Sequence, residues 1–155
     1  MIGFYKRQIS RKQLNKGKKM TNNNNWLTKL WQWADENNIQ DFSWLPSDSL
    51  NGGIWIGLSR DEDTLLQAKE IALIMSKIKY LPVELFNLTN IEKLYLTWND
   101  IETIPNEIEN LVNLKELYLA HNNLEHLPEV LKKLPKLEKI VIEGNPIEID
   151  TTVSK

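Results

Sequence analysis

Two sets of side chains in this 155-residue chain could carry chemistry: a pair of histidines and a group of aromatics. His121 and His126 are the only histidines. Nucleophilic catalysis needs a base, a nucleophile and an orienting acid in one place, and no spacing here assembles them. Two histidines without a third ligand make a poor metal site. There is no cysteine, which excludes disulfides, thiolate metal sites and a thiol nucleophile. Asp61-Glu62-Asp63 is acidic, but it lacks the turn glycine and terminal glutamate of a calcium loop, and acids at a helix start explain it better. Asn87-Leu88-Thr89 has the form of a glycosylation acceptor, with no secretion signal to support it. Six glycines with one adjacent pair leave no phosphate-cradling loop. No enzyme activity, cofactor or metal is expected. The aromatics point to recognition: Tyr95 and Tyr118, and Trp98 and His121, stand 23 residues apart. Tyrosine and tryptophan are enriched where interfaces concentrate their energy.

That offset belongs to a repeat. Ile91-Glu-Lys-Leu94-Tyr-Leu96-Thr-Trp-Asn99-Asp-Ile101 aligns without gaps with Leu114 to Leu124 and with Leu137 to Ile147. All three match L-x-x-L-x-L-x-x-N-x-L with isoleucine allowed for leucine. One period earlier, Ala68 to Ile78 is a weaker copy, with alanine at the first leucine and Ser76 at the asparagine. Leu81-Pro82, Ile104-Pro105 and Leu127-Pro128 recur in the links. Repeats of this length stack, each covering its neighbour's apolar face.

These residues resemble the leucine-rich-repeat family. The 23-residue length and the linker resemble its Ras-suppressor-like class and small bacterial relatives. The resemblance implies an α/β solenoid with a short parallel sheet on the concave face and helical turns on the convex face. It also implies protein binding, a property common to the family rather than particular to this chain.

The physics of the pattern leads to the same fold. Leucines flanking one outward residue, as in Leu94-Tyr95-Leu96, mark a short strand. Asn99, Asn122 and Asn145 then fall at a turn, where their amides can satisfy backbone groups; they are expected to be structural. Pro105 and Pro128 are placed to open helical turns. Ile108/Leu111, Leu131/Leu134 and Leu85/Leu88 should face inward.

The domain reading follows. Residues 68–90, 91–113, 114–136 and 137–149 are four repeats, the first degenerate and the last truncated. Residues 26–67 form an N-terminal cap that holds five of the six tryptophans. Trp26 to Ala34 reads as an amphipathic helix with Asn25 as its cap, and the tryptophans as packing on the first repeat. Asn51-Gly52-Gly53 is a turn, Ile54-Trp55-Ile56 a short strand, and Ser59 to Glu62 a capping box. Residues 150–155 are a tail without a covering helix, which leaves Ile140-Val141-Ile142 as an open edge available to a homodimer.

Net charge conceals a split. Residues 1–25 carry seven bases (Lys6, Arg7, Arg11, Lys12, Lys16, Lys18, Lys19) and no acid, against 12 bases and 21 acids in the rest. The total of −2 is therefore +7 and −9. A solvated, disordered tail is the plainest reading of the leader. Lys16-Gly17-Lys18-Lys19 also back-translates to a purine-rich stretch ahead of Met20, which makes Met20 an alternative start. The leader lacks the apolar core of a secretory signal, and no run approaches a membrane span. A cytoplasmic protein is expected, and neither nucleic acid nor membrane is favoured as a partner.

Outward strand positions align in columns. Lys69, Glu92, Lys115, Glu138 and Glu70, Lys93, Glu116, Lys139 alternate in sign, which opposes register slip because a shifted strand would set like charges together. The other columns are Ala72, Tyr95, Tyr118, Val141; Ile74, Thr97, Ala120, Glu143; and Met75, Trp98, His121, Gly144. Tyr95, Trp98, Tyr118 and His121, flanked by Met75, Ile74, Thr97 and Glu143, are the expected binding site for a protein or peptide. Assembly through the edge strand and a bacterial effector acting on a host protein are the alternatives.

Overall fold

The computed structural model describes residues 25–46 and 54–147. The basic leader, the Asn51-Gly52-Gly53 turn and the tail lie outside the described residues. Helix α1 (Asn25–Glu36) is followed by an antiparallel hairpin of β1 (Ser43–Leu45) and β2 (Ile54–Ile56), then by short helix α2 (Glu62–Leu66). The repeats contribute β3 (Glu70–Ala72), β4 (Lys93–Tyr95), β5 (Glu116–Tyr118) and β6 (Lys139–Val141). These form one parallel sheet in sequence order. Each register step equals the repeat period, as in Leu94 opposite Leu117. Single 3₁₀ turns at Val83–Asn87, Asn106–Asn110 and Glu129–Lys133 return the chain on the opposite side. Pro82, Pro105 and Pro128 stand just before these turns in extended conformation rather than as their first residue.

The strand leucines and the inward residues of the 3₁₀ turns form one core. Ile71, Leu94, Leu117, Leu85, Ile108 and Leu111 are buried, and Leu27, Leu30 and Ala34 of α1 join the same cluster. Burial weakens toward the last strand, where Ile140 is 37% exposed at the position occupied elsewhere by Ile71, Leu94 and Leu117.

Asparagine side chains hold consecutive repeats together. Asn99 Nδ2 donates to the carbonyl of Leu96 in its own repeat at 2.9 Å and to that of Leu73 in the preceding one at 2.6 Å. Its Oδ1 accepts from the amides of Ser76 (2.9 Å) and Ile78 (3.1 Å). Asn122 repeats the pattern with the carbonyls of Leu119 and Leu96 and the amide of Ile101. Asn145 does so with Ile142, Leu119 and Leu124. Ser76 is too short for this reach, and its hydroxyl donates only to the Ile74 carbonyl at 3.2 Å. A second ladder runs between the convex turns and the strands. Asn90 donates to the Leu66 carbonyl and Asn113 to that of Thr89, while Lys136 donates to the Asn113 side chain. These three residues also recur every 23 positions, so the repeat alignment itself carried the signal.

Several local expectations are corrected. Asn25 begins α1 rather than preceding it. The cap of α2 is Asp61, not Ser59: its carboxylate accepts from the Thr64 amide at 2.9 Å, which starts the helix later than a Ser59 cap would. Trp26, Trp31 and Trp33 pack partly buried against the core, and the Trp31 indole donates to the Ser59 carbonyl at 2.9 Å. Trp55, by contrast, is 57% exposed on β2, because Ile54 takes the inward side of that strand.

Candidate functional site

Parallel strands lie ~4.8 Å apart, close to the natural spacing of stacked rings. Tyr95 on β4 and Tyr118 on β5 stack with centroids 4.6 Å apart and planes at 12°. Just past the strands, Trp98 and His121 stack at 3.8 Å and 15°. The tyrosines are half-buried; Trp98 and His121 are exposed. Trp98 leaves 55% of its surface open. The structure thus brings these four expected residues together in two lateral stacks across two repeats.

The backbone beneath the outer stack is left-handed. Met75, Trp98 and His121 have φ of 53°, 59° and 54°. Gly144 completes the column at 72°. This turn lets the next residue, the ladder asparagine, fold back under the strands. Glycine adopts such a φ freely, whereas a bulky side chain is strained by it. Trp98 therefore carries a conformational cost while remaining largely exposed. Gly144 is needed for space as well, since a Cβ there would lie 2.4 Å from His121 Nδ1. Gly144→Ala should displace the imidazole from Trp98 and cost about 1–2 kcal/mol, the scale of a left-handed L-residue; urea titration and the His121 ring resonances check both effects.

The flanking residues divide. Thr97 is half-buried beside the stacks and Glu143 is exposed, its carbonyl accepting from the His121 amide at 2.8 Å. Met75, whose amide donates to the Thr97 carbonyl at 3.2 Å, and Ile74 also line a groove against the N-terminal segment. Two outward positions are covered. Ala72 is buried because its carbonyl accepts from the Gly57 amide at 2.8 Å, which closes the hairpin over β3. Ala120 is buried too. His126 is exposed and apart from His121 in the sequence of turns.

The charges around the stacks are paired among themselves. Glu92 meets Lys69 at 3.2 Å and Lys115 at 2.5 Å; Lys93 meets Glu70 at 3.6 Å and Glu116 at 3.3 Å. Both columns break at the last strand: Lys115 makes its ion pair with Glu92 and none with Glu138, and the expected Glu116–Lys139 pair is replaced by a relay. Lys139 Nζ donates to the Tyr118 hydroxyl at 3.1 Å, and that hydroxyl donates to the Glu116 carboxylate. Lys139 also lies 4.9 Å above the Tyr118 ring.

These bonds move the titrations. The Tyr118 hydroxyl and then Lys93 hold Glu116 below the ordinary carboxylate value of 4.5; Lys115 and Lys69 do the same for Glu92. Lys93, Lys115 and Lys139 are raised above 10.5 by hydrogen bonds to Glu116, Glu92 and Tyr118 respectively. Burial pushes the Tyr95 phenol up. The carboxylates therefore stabilise the fold fully above their unfolded value near 4.5, and this is lost as pH falls through their lower folded values. The lysine contribution is full below 10.5 and is lost as pH rises through the raised folded values. Denaturant titrations should show acid weakening below pH 4.5, diminished in a Glu92→Gln/Glu116→Gln variant.

Among the described residues, no group of three or more His, Cys, Asp or Glu is placed to hold a metal ion, and no helix is long and apolar enough to cross a membrane. The family model described as Leucine rich repeat matches residues 67–124 and 89–147, together more than half of the chain. Among solved structures, an LRR protein of Leptospira interrogans is 29% identical, with a TM-score of 0.43. The match covers 46% of this chain and 24% of that one. No curated protein matches the chain.

Proposed function

The chain belongs to the leucine-rich-repeat family, and from that premise we propose that it is a noncatalytic module that binds a protein or peptide on its concave face. Trp98 carries the reading: an exposed tryptophan on a left-handed backbone costs the fold something and gains little burial in return. Its stack with His121 and the neighbouring Tyr95–Tyr118 stack give a partner a broad aromatic surface. Tyr95, Trp98, Tyr118 and His121 are the contact residues, with Thr97 and Glu143 at the margin. Because the adjacent charges are largely paired within the sheet, affinity should depend weakly on salt.

The segment 26–67 acts as the cap in this reading, supported by the place of Leu27, Leu30 and Ala34 in the shared core. The cytoplasm of a bacterial cell is the proposed setting, in keeping with the resemblance to small bacterial proteins of this repeat length. Affinity capture from native lysate tests the site. The wild type should retain a partner that a Tyr95→Ala/Tyr118→Ala variant of unchanged secondary structure loses; equal capture by both would refute it.

A second reading rests on Ile140, a core position left 37% exposed. It has β6 pairing with β6 of a second copy. Sedimentation should then show a concentration-dependent dimer that Val141→Lys abolishes. Monomer mass in both proteins would exclude it.

A further inference from the structure

We propose that β6 pairs antiparallel with β6 of a second copy of this chain, with Val141 on the two-fold axis and Lys139 opposite Glu143 of that copy. This rests on the second reading above and specifies its register and its chemistry. The segment Lys139-Ile140-Val141-Ile142-Glu143 is self-complementary about its centre. Under a two-fold rotation Ile140 meets Ile142, Val141 meets itself and each end charge meets its opposite. The earlier repeats lack this pattern. Their equivalents are Glu70-Ile-Ala-Leu-Ile74, Lys93-Leu-Tyr-Leu-Thr97 and Glu116-Leu-Tyr-Leu-Ala120, with no charge at the last position. Where β4 and β5 carry Leu-Tyr-Leu, the last repeat carries Ile-Val-Ile, three β-branched residues that suit a pleated pairing surface.

The main chain permits this register. Leu119 and His121 donate to the carbonyls of Val141 and Glu143 at 2.7 and 2.8 Å, so the main-chain groups of those two residues turn toward β5. Those of Ile140 and Ile142 alternate with them and turn the other way, where the sheet has no further strand among the described residues. Leu73, Leu96 and Leu119 each donate to the next repeat, whereas the equivalent Ile142 amide meets no next strand. The Ile142 carbonyl accepts from Asn145 Nδ2 and has room for a second donor, just as the Leu96 carbonyl accepts from both Asn99 and Asn122. In the Val141-centred pairing, Ile140 and Ile142 of the second copy exchange hydrogen bonds. Lys139 and Glu143 then form the non-hydrogen-bonded pairs, where opposed side chains lie closest. Ile140, 37% exposed, gains cover on the inward side.

Neighbouring registers fit worse. Centring on Ile140 sets Lys139 against Val141, and centring on Ile142 sets Val141 against Glu143. Both charges are available for the favoured register: among the described residues neither Lys139 nor Glu143 has an ion-pair partner. Lys139 donates to the Tyr118 hydroxyl, so Glu143 of the second copy extends the Glu116–Tyr118–Lys139 relay across the interface. At the other end of the sheet, the Gly57–Ala72 hydrogen bond closes the hairpin over β3. The matching edge for β6 is therefore its own copy, and such an isologous contact closes as a dimer instead of growing into a filament.

Sedimentation equilibrium of the full chain tests the proposal. The wild type should form a concentration-dependent dimer. Lys139→Glu and Glu143→Lys should each weaken it at least about tenfold, because the axis applies each reversal twice. An equimolar mixture of the two variants should recover a dimer that neither forms alone. Val141→Cys, in a chain with no cysteine of its own, should give a disulfide-linked dimer on air oxidation, and Ile140→Cys should not. A wild type that stays monomeric overturns both the edge reading and this register. A wild-type dimer abolished by Val141→Lys but indifferent to both charge reversals leaves the edge reading standing and overturns the register. A mixture that stays monomeric, or equal cross-linking of the two cysteine variants, overturns the register in the same way. The wild-type and cross-linking measurements decide the question even where a charge reversal fails to fold.

Discussion

Replacing Asn99 or Asn122 by alanine is expected to lower the unfolding free energy by about 3 kcal/mol, the most costly single truncations among the polar side chains of the described residues. The reason is geometric. Each side chain is buried and ties two repeats through at least three hydrogen bonds to main-chain groups. Alanine leaves those groups buried without partners, and water cannot easily replace an amide held beneath the strands. An orphaned buried group costs about 1–3 kcal/mol, though such losses do not add fully. Asn145→Ala should cost less, about 1 kcal/mol, because Asn145 is half-buried and the groups it serves are nearer solvent. Urea titration of the three variants checks the ranking. Equal, small effects at all three would mean that the ladder carries little of the stability. Nearest-neighbour coupling is what makes a stacked array cooperative, so broader transitions should accompany the lower midpoints.

Trp98→Gly should leave the fold nearly as stable as the wild type while weakening partner capture by roughly 2 kcal/mol or more, about thirtyfold, as for a central aromatic contact. Two opposing effects make the variant informative. Losing the His121 stack costs about 0.5–1.5 kcal/mol. Relieving the left-handed strain returns about 1–2 kcal/mol. Trp98→Ala loses the same stack and keeps the strain, so it should be less stable than Trp98→Gly by about 1 kcal/mol. If Trp98→Gly proves strongly destabilised, the tryptophan is a structural element of the sheet. If it is stable and still captures the partner, the contact surface lies elsewhere. A stable variant that no longer binds separates recognition from folding, which alanine alone cannot do.

The repeat made much of the fold legible. Strand order, register and both charge columns follow once residues 91–101, 114–124 and 137–147 are superposed, because each repeat packs on a near-copy of itself. A contact made by residue i is made again 23 positions on, as in the bonds of Asn99 and Asn122. The two aromatic stacks follow by the same translation. Other features had no periodic signal. The Tyr118 relay interrupts the charge column because a hydroxyl lies between Lys139 and Glu116. The Ala72 position is covered by a hairpin from outside the repeats. Asp61 rather than Ser59 caps α2, a choice decided by which carboxylate meets the Thr64 amide.

The sequence by itself determined a stacked parallel sheet, the inward leucines, the asparagine positions and the aromatic columns. All of these depend on one local pattern meeting its own copy at a fixed spacing. Only the tertiary structure decided which outward positions stay open, that Trp98 and His121 stand on left-handed backbone, and that Ile74 and Met75 belong to a groove with the end of α1. Those outcomes depend on unlike segments meeting across long stretches of chain. No repeat records such a meeting.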